Sequence, residues 1–497
     1  MKQRVPLTLA AVTAALAAVT GLAALTAPAA DGAPAAAAQG KAAARMPVER
    51  SLLVCPAPST SDIAETVYTA ITPGSAAAGA KGTARLLGAT KDAKQVLELK
   101  EPGKPVGAKA SGAEAPALTG IADGFLAPGW SAQQTTVVSV GRTRGLLGVG
   151  CTAAGTDFWF PGVSTAKGRE DYIHLTNPDD TAAVVDIKLF GPDGAVKTEP
   201  GTSENIRIDP KSSKAISLTS LAPGAQLADV TAHVTTRAGR VGATTQAGEE
   251  GTGSDWLPAS VDPAGTLVLP GIPADATSVR LVAFAPGEDD ADLRLRLAGP
   301  TGSISPADNE QLHVKAGMTA SVDLKDVTRG EAGSLILSPA DGKKAVPVVA
   351  ALRVVRGNGP KQDIAFIQAA APVGARATVA DNRTDQNATV LSLTAASGAD
   401  AKVRVTASPG TEGGEPASQE VTLKAGTTQN LTLVPTGGKG SYALTVETLS
   451  GGPVHAARTL TIPRDGIPMF TVQTLTDDRS TVAVPKATQD LTVLTAR

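Results

Sequence analysis

A β-strand pattern recurs along this chain at a spacing of about 108 residues, and this repeat constrains the fold more than any other feature. Residues 185–189 alternate apolar and polar side chains, residues 293–297 repeat the pattern, and each segment is followed by a Gly-Pro-x-Gly turn. A fixed period indicates an array of structural units. Short alternating segments separated by Pro- and Gly-rich turns predict an all-β chain with about seven strands per unit.

The repeat predicts tandem immunoglobulin-like β-sandwich modules after an N-terminal signal sequence, because a single flat sheet would leave an apolar face exposed. The final residues, 466–497, resemble the start of another unit and are predicted to dock on a neighbouring module as C-terminal capping strands of the array. The other predicted segments are a signal peptide or uncleaved anchor at 1–29, a disordered Ala/Pro/Gly spacer at 30–47, an N-terminal β module with a disulfide at 48–165, and β-sandwich modules at 166–262, 263–370 and 371–465.

The N-terminal module is less regular than the others. Residues 61–71 are predicted to form a short helix, and residues 101–128 a long loop. Cys55 and Cys151 are the two cysteines of the chain. Export would place them in an oxidising compartment, so they are predicted to form a disulfide that ties the two ends of this module. Closing a loop of that length would stabilise the module by about 4–5 kcal/mol.

The first residues predict export. Lys2 and Arg4 precede an uncharged segment over residues 5–27, which is typical of a secretory signal, and cleavage is expected near Ala29 or Ala30. The segment is nearly long enough to span a bilayer, so a retained N-terminal membrane anchor is the alternative. The predicted location is secreted or at the extracellular face of the cell envelope.

Composition excludes some partners and disfavours others. The net charge of −2 provides no basic field for nucleic acid and no polybasic membrane patch. Aromatic residues make up 3% of the chain, which counts against a carbohydrate-binding platform of exposed rings.

The sequence predicts no catalytic, cofactor-binding or metal-binding residues. The histidines lie in different strands without close ligand partners, so each is expected to be a solvated strand residue. They are His174, His233, His313 and His455. Acidic turns at residues 179–180 and 288–290 leave a calcium clip as an alternative to ordinary turns. Carboxylates at 249, 250 and 255 could serve a glycosidase, but their Gly-rich context argues against it.

The densest aromatic cluster is Phe158, Trp159 and Phe160. Two interpretations stay open: docking of a partner, and packing at the hinge between two modules. Trp130 and Trp256 also lie near predicted module ends, which favours packing.

The segments 158–162 (FWFPG) and 169–178 (REDYIHLTNP) resemble a family of uncharacterised secreted actinobacterial proteins of the Streptomyces type. The resemblance covers the mature chain and rests on structural motifs. It implies an envelope-associated β-sandwich protein with no assigned activity, and it carries over no catalytic residue. Support of cell-envelope glycan assembly is suggested by family context alone.

The leading functional hypothesis is a non-enzymatic scaffold or binding protein of the envelope, with an envelope protein or a glycan as its partner. The alternatives are an extracellular glycan hydrolase with an unrecognised site and a surface adhesin. No cofactor is expected.

Overall fold

The computed structural model describes residues 44–74, 81–385, 388–396 and 398–484. The chain comprises two compact units. One unit, Pro47–Val482, contains four β-sandwich modules. The other consists of Met1–Met46 and Ala483–Arg497. Its described residues belong to β1 (Ala44–Pro47) and β36 (Thr481–Val484), which pair with each other.

Each of the four modules has the same arrangement of strands. We letter the strand positions A to H along each module. Positions A, F, C and D form one sheet in that order, and positions E, B, G and H form the other. In the second and third modules, position D is split into two short strands that both pair with C.

The strands follow the chain in lettered order. The first module contains β2 (Arg50–Cys55), β3 (Glu65–Ile71), β4 (Ala84–Gly88), β5 (Gln95–Leu99), β6 (Val106–Ser111), β7 (Leu118–Asp123), β8 (Ser131–Val138) and β9 (Gly145–Gly150), with a 3-10 helix at Gly124–Leu126. The second contains β10 (Asp157–Val163), β11 (Arg169–Asn177), β12 (Ala183–Gly191), β13 (Gly194–Ala195), β14 (Ile206–Ile208), β15 (Ser212–Ser217), β16 (Val230–Ala238), β17 (Gly242–Glu249) and β18 (Gly253–Leu257), with a short α-helix at Leu218–Leu221.

The third and fourth modules repeat this order. The third contains β19 (Leu267–Ile272), β20 (Ala276–Phe284), β21 (Ala291–Ala298), β22 (Ser303–Ile304), β23 (Gln311–Val314), β24 (Thr319–Lys325), β25 (Gly333–Pro339), β26 (Val349–Asn358) and β27 (Lys361–Gln368). The fourth contains β28 (Arg376–Arg383), β29 (Thr389–Ala395), β30 (Ala401–Ala407), β31 (Ala417–Leu423), β32 (Thr427–Leu431), β33 (Ser441–Gly451), β34 (Val454–Thr461) and β35 (Phe470–Leu475).

The alternating pattern of the sequence explains how each sandwich forms its core. In β21, Leu293, Leu295 and Leu297 are buried while Arg294 and Arg296 are half-buried on the other face. Burying one such leucine contributes about 1.5–3 kcal/mol. In each module the two sheets share one apolar cluster, and all strand pairs within them are antiparallel. The predicted all-β tandem sandwich fold is confirmed.

Two local predictions in the first module are wrong. Residues 61–71 contain strand β3 and no helix, because β-branched and aromatic residues from Thr66 to Ile71 favour extended backbone. The predicted loop over 101–128 contains β6, β7 and the 3-10 helix. Strand β7 is paired on both sides, by β2 and β4, so its backbone hydrogen bonds hold a stretch rich in small residues in the sheet.

The chain segment after residue 465 also differs from the prediction. Strand β35 pairs with β34 and supplies position H of the fourth module, so it completes that sandwich rather than beginning another unit. Of the predicted spacer, residues 44–47 form β1. The predicted signal segment, 1–29, lies outside the described residues. The other domain boundaries stay a prediction.

The four modules close into a ring instead of a linear array. Strand H of each module contacts strand H of both neighbours: β9 contacts β18, β18 contacts β27, β27 contacts β35, and β35 returns to β9. When head-to-tail contacts close a ring, every module uses both of its contact surfaces and no module is left at a free end. The 108-residue period thus describes a closed assembly of four units.

Candidate binding cleft

Three of the four interfaces in the ring are built in the same way. Strand A of one module packs on strands B and G of the next, as β10 does on β20 and β26, β19 on β29 and β34, and β28 on β3 and β8. Each of these A strands carries a register shift at a residue with a left-handed backbone. The residues are Gly162 (φ +94°), Gly271 (φ +83°) and Asp381 (φ +57°).

The bulge in strand A brings the chain against the next module. A Cβ added to Gly271 would lie 2.7 Å from Ala457 Cβ in the fourth module, so glycine is needed for the close approach. At the bulge of the fourth module, Thr69 Oγ1 of the first module donates a hydrogen bond to Asp381 Oδ1 at 3.2 Å. Bulges re-aim a strand, and here they seat it on its neighbour.

The fourth interface, between the first and second modules, lacks this device. Strand β2 pairs with β7 in continuous register, without a bulge. Within the described residues, β2 does not pack on β11 and β17 to the extent that the other three A strands pack on the B and G strands of the next module. Its Val54 lies against Gly242. The two modules are also joined by Trp256, which packs among apolar residues of the first module, by the H strands, and by ion pairs of Arg142 with Glu170 and Glu250.

A cleft of about 380 Å³ opens at this loosely packed interface, and we call it the seam cleft. It is lined by strands A and G of the first module, strands B and G of the second, the end of strand H of the third, and strands A and H of the fourth. A concave site at the junction of several domains is a common place for a ligand.

Uncharged polar side chains line the interior of the seam cleft. Gln133, His174, Gln368 and Gln473 are each at least nine-tenths buried. Among the described residues, Gln133 Nε2, His174 Nε2 and both amide atoms of Gln473 have no hydrogen-bond partner. Gln368 is partly satisfied, since its Nε2 donates to Thr474 Oγ1 at 2.7 Å while its Oε1 has no partner in the described chain. Burial lowers the pKa of His174 to about 4, so its ring is neutral at physiological pH.

The rest of the lining is largely apolar. Trp130 and Phe158 contribute aromatic rings, and Val54, Val379 and Leu475 contribute aliphatic side chains. The charged lining residues within the described chain are Asp477, Asp478 and Arg479. The two carboxylates are already engaged, since Asp478 pairs with Arg376, and Asp477 accepts hydrogen bonds from the backbone N–H groups of residues 375 and 479, whereas Arg479 is exposed.

Two buried carboxyl groups lie where the H strands meet. Asp255 in β18 accepts a hydrogen bond from Gly148 N of β9 at 2.9 Å, and Asp363 in β27 accepts one from Phe470 N of β35 at 2.8 Å. Burial raises the pKa of Asp363 to about 8 and that of Asp255 well above its ordinary value. Each carboxyl group thus joins its module to a neighbour through a backbone N–H group.

The disulfide predicted from the sequence is present. Cys55 ends strand β2, and Cys151 directly follows β9 and lines the seam cleft, with the two Cα atoms 4.5 Å apart. The bond therefore fastens the A strand of the first module beside the open interface.

The predicted docking cluster is divided by the fold. Phe160 is fully buried in the second module. Trp159 is 9% exposed and packs against Phe284 and Val349 of the third module, with His233 stacked on it at 3.5 Å between ring centroids. Phe158 lines the seam cleft. Partner docking by these three residues stays a prediction, and of the three Phe158 alone faces the cleft.

The histidine prediction is wrong for two residues. His455 is buried because strand β19 of the third module covers its sheet, and His174 is buried at the wall of the seam cleft beside Trp256. His313 is half exposed beside Asp290 and Asp292.

The acidic side chains considered for calcium or catalysis are separated from one another. Asp179 pairs with Arg240 and Asp289 with Lys344. Glu249 pairs with Arg353 and Glu250 with Arg142, while Asp255 is buried between the H strands. In the described parts of the chain, no group of three His, Cys, Asp or Glu side chains is placed to hold a metal ion.

The cleft glutamines were missed from the sequence. Gln133 lies in the eight-residue strand β8, and its position in that strand follows no spacing pattern that would identify it as a binding residue. A weak signal exists, since an unbranched amide at a buried strand position is unusual in a chain built from Val, Leu, Ile and Ala.

Comparison with models of protein families assigns the chain to a family. A model of a family of unknown function (DUF5719) matches residues 106–434, which is more than half of the chain's 497 residues. The chain belongs to this family. Comparison with curated proteins finds no match. The matched region includes most strands of the ring and Gln133, His174 and Gln368 of the cleft. No helix among the described residues is long and apolar enough to cross a membrane.

Proposed function

We infer that this protein is a non-enzymatic binding protein that acts outside the cytoplasmic membrane, with the ring of sandwiches as scaffold and the seam cleft as binding site. The observation that carries this proposal is the set of buried, unpartnered polar groups that line one cleft at the open interface. Buried polar groups are nearly always paired, so an unpaired set requires an explanation, and a ligand supplies one.

The disulfide supports the proposed location. Disulfides persist in oxidising compartments and are rare in the cytosol. The predicted signal segment at residues 1–29 agrees with export. A role in cell-envelope glycan assembly would follow if the ring holds a glycan or an envelope protein in place without changing it chemically.

The alternative of a glycan hydrolase requires two carboxyl groups that face the substrate. Among the described lining residues the carboxylates are Asp477 and Asp478, and Asp478 is held in an ion pair with Arg376. These engaged groups favour binding over hydrolysis.

The proposal is tested by blocking the cleft. Ala153 lines the cleft and is half-buried, whereas the neighbouring Ala154 is similarly exposed and does not line it. We expect full-length protein to capture material from envelope extracts, Ala153→Trp to lose that capture, and Ala154→Trp to keep it. If both variants capture envelope material equally well, the binding site lies outside the seam cleft. Release of glycan fragments by the purified protein would overturn the non-enzymatic assignment.

A further inference from the structure

The charge of the seam cleft restricts its ligand. The interior polar side chains are amides, hydroxyls and a neutral imidazole, and the three charged lining residues lie together in one segment at residues 477–479. Asp478 pairs with Arg376, Asp477 accepts hydrogen bonds from backbone N–H groups, and Arg479 is exposed and so lies outside the buried interior. A buried ionic ligand needs a counter-charge, and this interior provides none. The ligand that fits is therefore neutral.

The unpartnered groups indicate what the ligand must offer. A glutamine amide presents an acceptor and two donors side by side, and neutral histidine presents one donor and one acceptor. The unpartnered atoms are Nε2 of Gln133, which is a donor, Nε2 of His174, and both amide atoms of Gln473, so the ligand must offer an acceptor to Gln133 and groups that both donate and accept to Gln473. Hydroxyl groups on adjacent carbons have this property, and they can meet both atoms of one amide.

The walls of the cleft favour a ligand with an apolar face. Trp130 and Phe158 supply rings, and Val54, Val379 and Leu475 supply aliphatic surface. A sugar ring combines hydroxyl edges with a face of C–H groups, which matches this mixture. A site with mostly apolar walls and a few placed polar groups is the usual design for a small ligand, and the volume of about 380 Å³ lies near the lower end of such sites.

A peptide strand fits less well. Peptides add to a free sheet edge through main-chain hydrogen bonds. At the cleft, the edge strand β2 is already engaged, since Val54 N donates to Thr152 O at 2.7 Å and Thr152 N donates to Val54 O at 3.1 Å. Within the described residues, the side chains of Gln133, His174 and Gln473 offer polar groups without partners there.

We propose that the seam cleft binds a neutral saccharide, one or two rings at a time, through the amides of Gln133 and Gln473 and the imidazole of His174. This inference rests on the proposed function and names its ligand class. It reverses the expectation drawn from the low aromatic content, because the fold gathers Trp130 and Phe158 from different modules into one cleft.

The test uses the full-length protein with defined probes. Maltose, cellobiose and α-1,6-mannobiose serve as neutral saccharides, digalacturonate as a charged saccharide, and tetra-alanine as a peptide. Binding is followed by saturation-transfer NMR and by tryptophan fluorescence, to which Trp130 in the cleft contributes together with Trp159 and Trp256. We expect at least one neutral saccharide to bind, and Gln133→Leu or Gln473→Leu to weaken it by about tenfold or more, since each substitution removes hydrogen bonds to a buried ligand.

A matched control is available in the fourth module. Gln419 lies exposed in β31, away from the cleft, so Gln419→Leu makes the same chemical change and should leave saccharide binding unchanged. An equal loss with Gln419→Leu would show that the effect is not specific to the cleft and would overturn the assignment.

The remaining outcomes separate the two proposals. Binding of tetra-alanine or digalacturonate that depends on Gln133 and Gln473 would overturn the neutral-saccharide inference while leaving the cleft as a binding site. Failure of all three neutral saccharides to bind at millimolar concentration would also overturn the inference. If Ala153→Trp and Ala154→Trp both lose envelope capture to the same extent, that result counts against the proposed function instead.

Discussion

The interface between the first and second modules differs from the other three interfaces of the ring. At three interfaces a bulged A strand presses against strands B and G of the next module. At the fourth the A strand is unbulged, and the seam cleft opens beside it. A nearly symmetric ring can thus close on the strength of three interfaces and the contacts between H strands, while the fourth interface is free to hold a ligand.

The disulfide follows from the same difference. Cys55 precedes Val163, the residue after the bulge in the second module, by 108 residues. Where the other A strands are held by a neighbouring module, the first is held by a covalent bond to Cys151. The bond stabilises the strand without filling the space in front of it.

The largest effect is expected on removing that bond. The double variant Cys55→Ala/Cys151→Ala opens a loop of 96 residues and should lower the free energy of unfolding of the first module by about 4–5 kcal/mol, because the unfolded chain regains conformational entropy. Chemical denaturation monitored by circular dichroism measures it. Reduction of the wild-type protein is the control and should give the same curve. A loss of less than about 1 kcal/mol would mean that neighbouring modules hold β2 in place after all.

The next largest effect tests whether the bulges close the other interfaces. Gly271→Ala adds a methyl group against Ala457, and Gly342→Ala adds one at a similar φ (+72°) in open space. The left-handed backbone costs about 1–2 kcal/mol in both variants, and overpacking adds about 1–3 kcal/mol in Gly271→Ala alone. Unfolding free energies measure the difference.

The open interface provides the comparison for this experiment. Gly242→Ala would place a methyl group 2.6 Å from Val54 Cγ1 and 2.8 Å from Val54 Cβ, but strand β2 borders the seam cleft and can shift into it together with Val54. Gly242 is not among the glycines with a left-handed backbone, so we expect Gly242→Ala to cost less than the excess of Gly271→Ala over Gly342→Ala, which isolates the packing cost. An equal cost would indicate that the fourth interface is packed as tightly as the others.

The carboxyl groups between the H strands make stability depend on pH. Burial raises the pKa of Asp363 to about 8, so the folded state holds a proton that the unfolded state releases near pH 4. Stability contributed by this proton is complete below the unfolded pKa and is lost as the pH rises to about 8. Between about pH 6 and about pH 8 the loss should be about 2 kcal/mol. Nearby charges are Arg144, which opposes the shift, and Asp255, whose own pKa is raised.

Asp363→Asn keeps the shape of the side chain but does not titrate, so it should remove most of this dependence. Thermal melting across the pH range measures it, with exposed Asp326→Asn as the control. On the acid side the sign reverses. Burial lowers the pKa of His174 and His455 to about 4, so their contribution is present above the unfolded value of 6.5 and is lost as the pH falls toward 4. A melting temperature of Asp363→Asn that falls with pH as in wild type would exclude Asp363 as the source.

The strands of each sandwich could be predicted from the sequence because period-two alternation reports which side chains face the core. On this basis the sequence correctly predicts that Leu293, Leu295 and Leu297 face the core. The disulfide was predicted from the presence of two cysteines and from the predicted export of the chain. The ring could not be predicted, because its interfaces use the outward faces of the sheets, where alternation carries no information. His455 shows the consequence, since β19 of the third module covers a face that the strand pattern assigns to solvent.

The seam cleft was hidden from the sequence for a related reason. Its glutamines come from strands in different modules, and their convergence depends on how the ring closes. The bulge at Asp381 could not be predicted from the sequence either, because the residue with the left-handed backbone there is not a glycine.

The smallest effect on stability distinguishes a binding residue from a structural one. Gln473 has no hydrogen-bond partner among the described residues, so Gln473→Leu removes an unpaired buried amide and should leave stability unchanged or raise it by up to about 1 kcal/mol. Gln368 is similarly buried but donates to Thr474, so Gln368→Leu should lower stability by about 1 kcal/mol. Denaturation of both variants without ligand measures this. A protein evolved for stability alone would not keep Gln473, so destabilisation by Gln473→Leu equal to that of Gln368→Leu would show that the amide serves the fold and not a ligand.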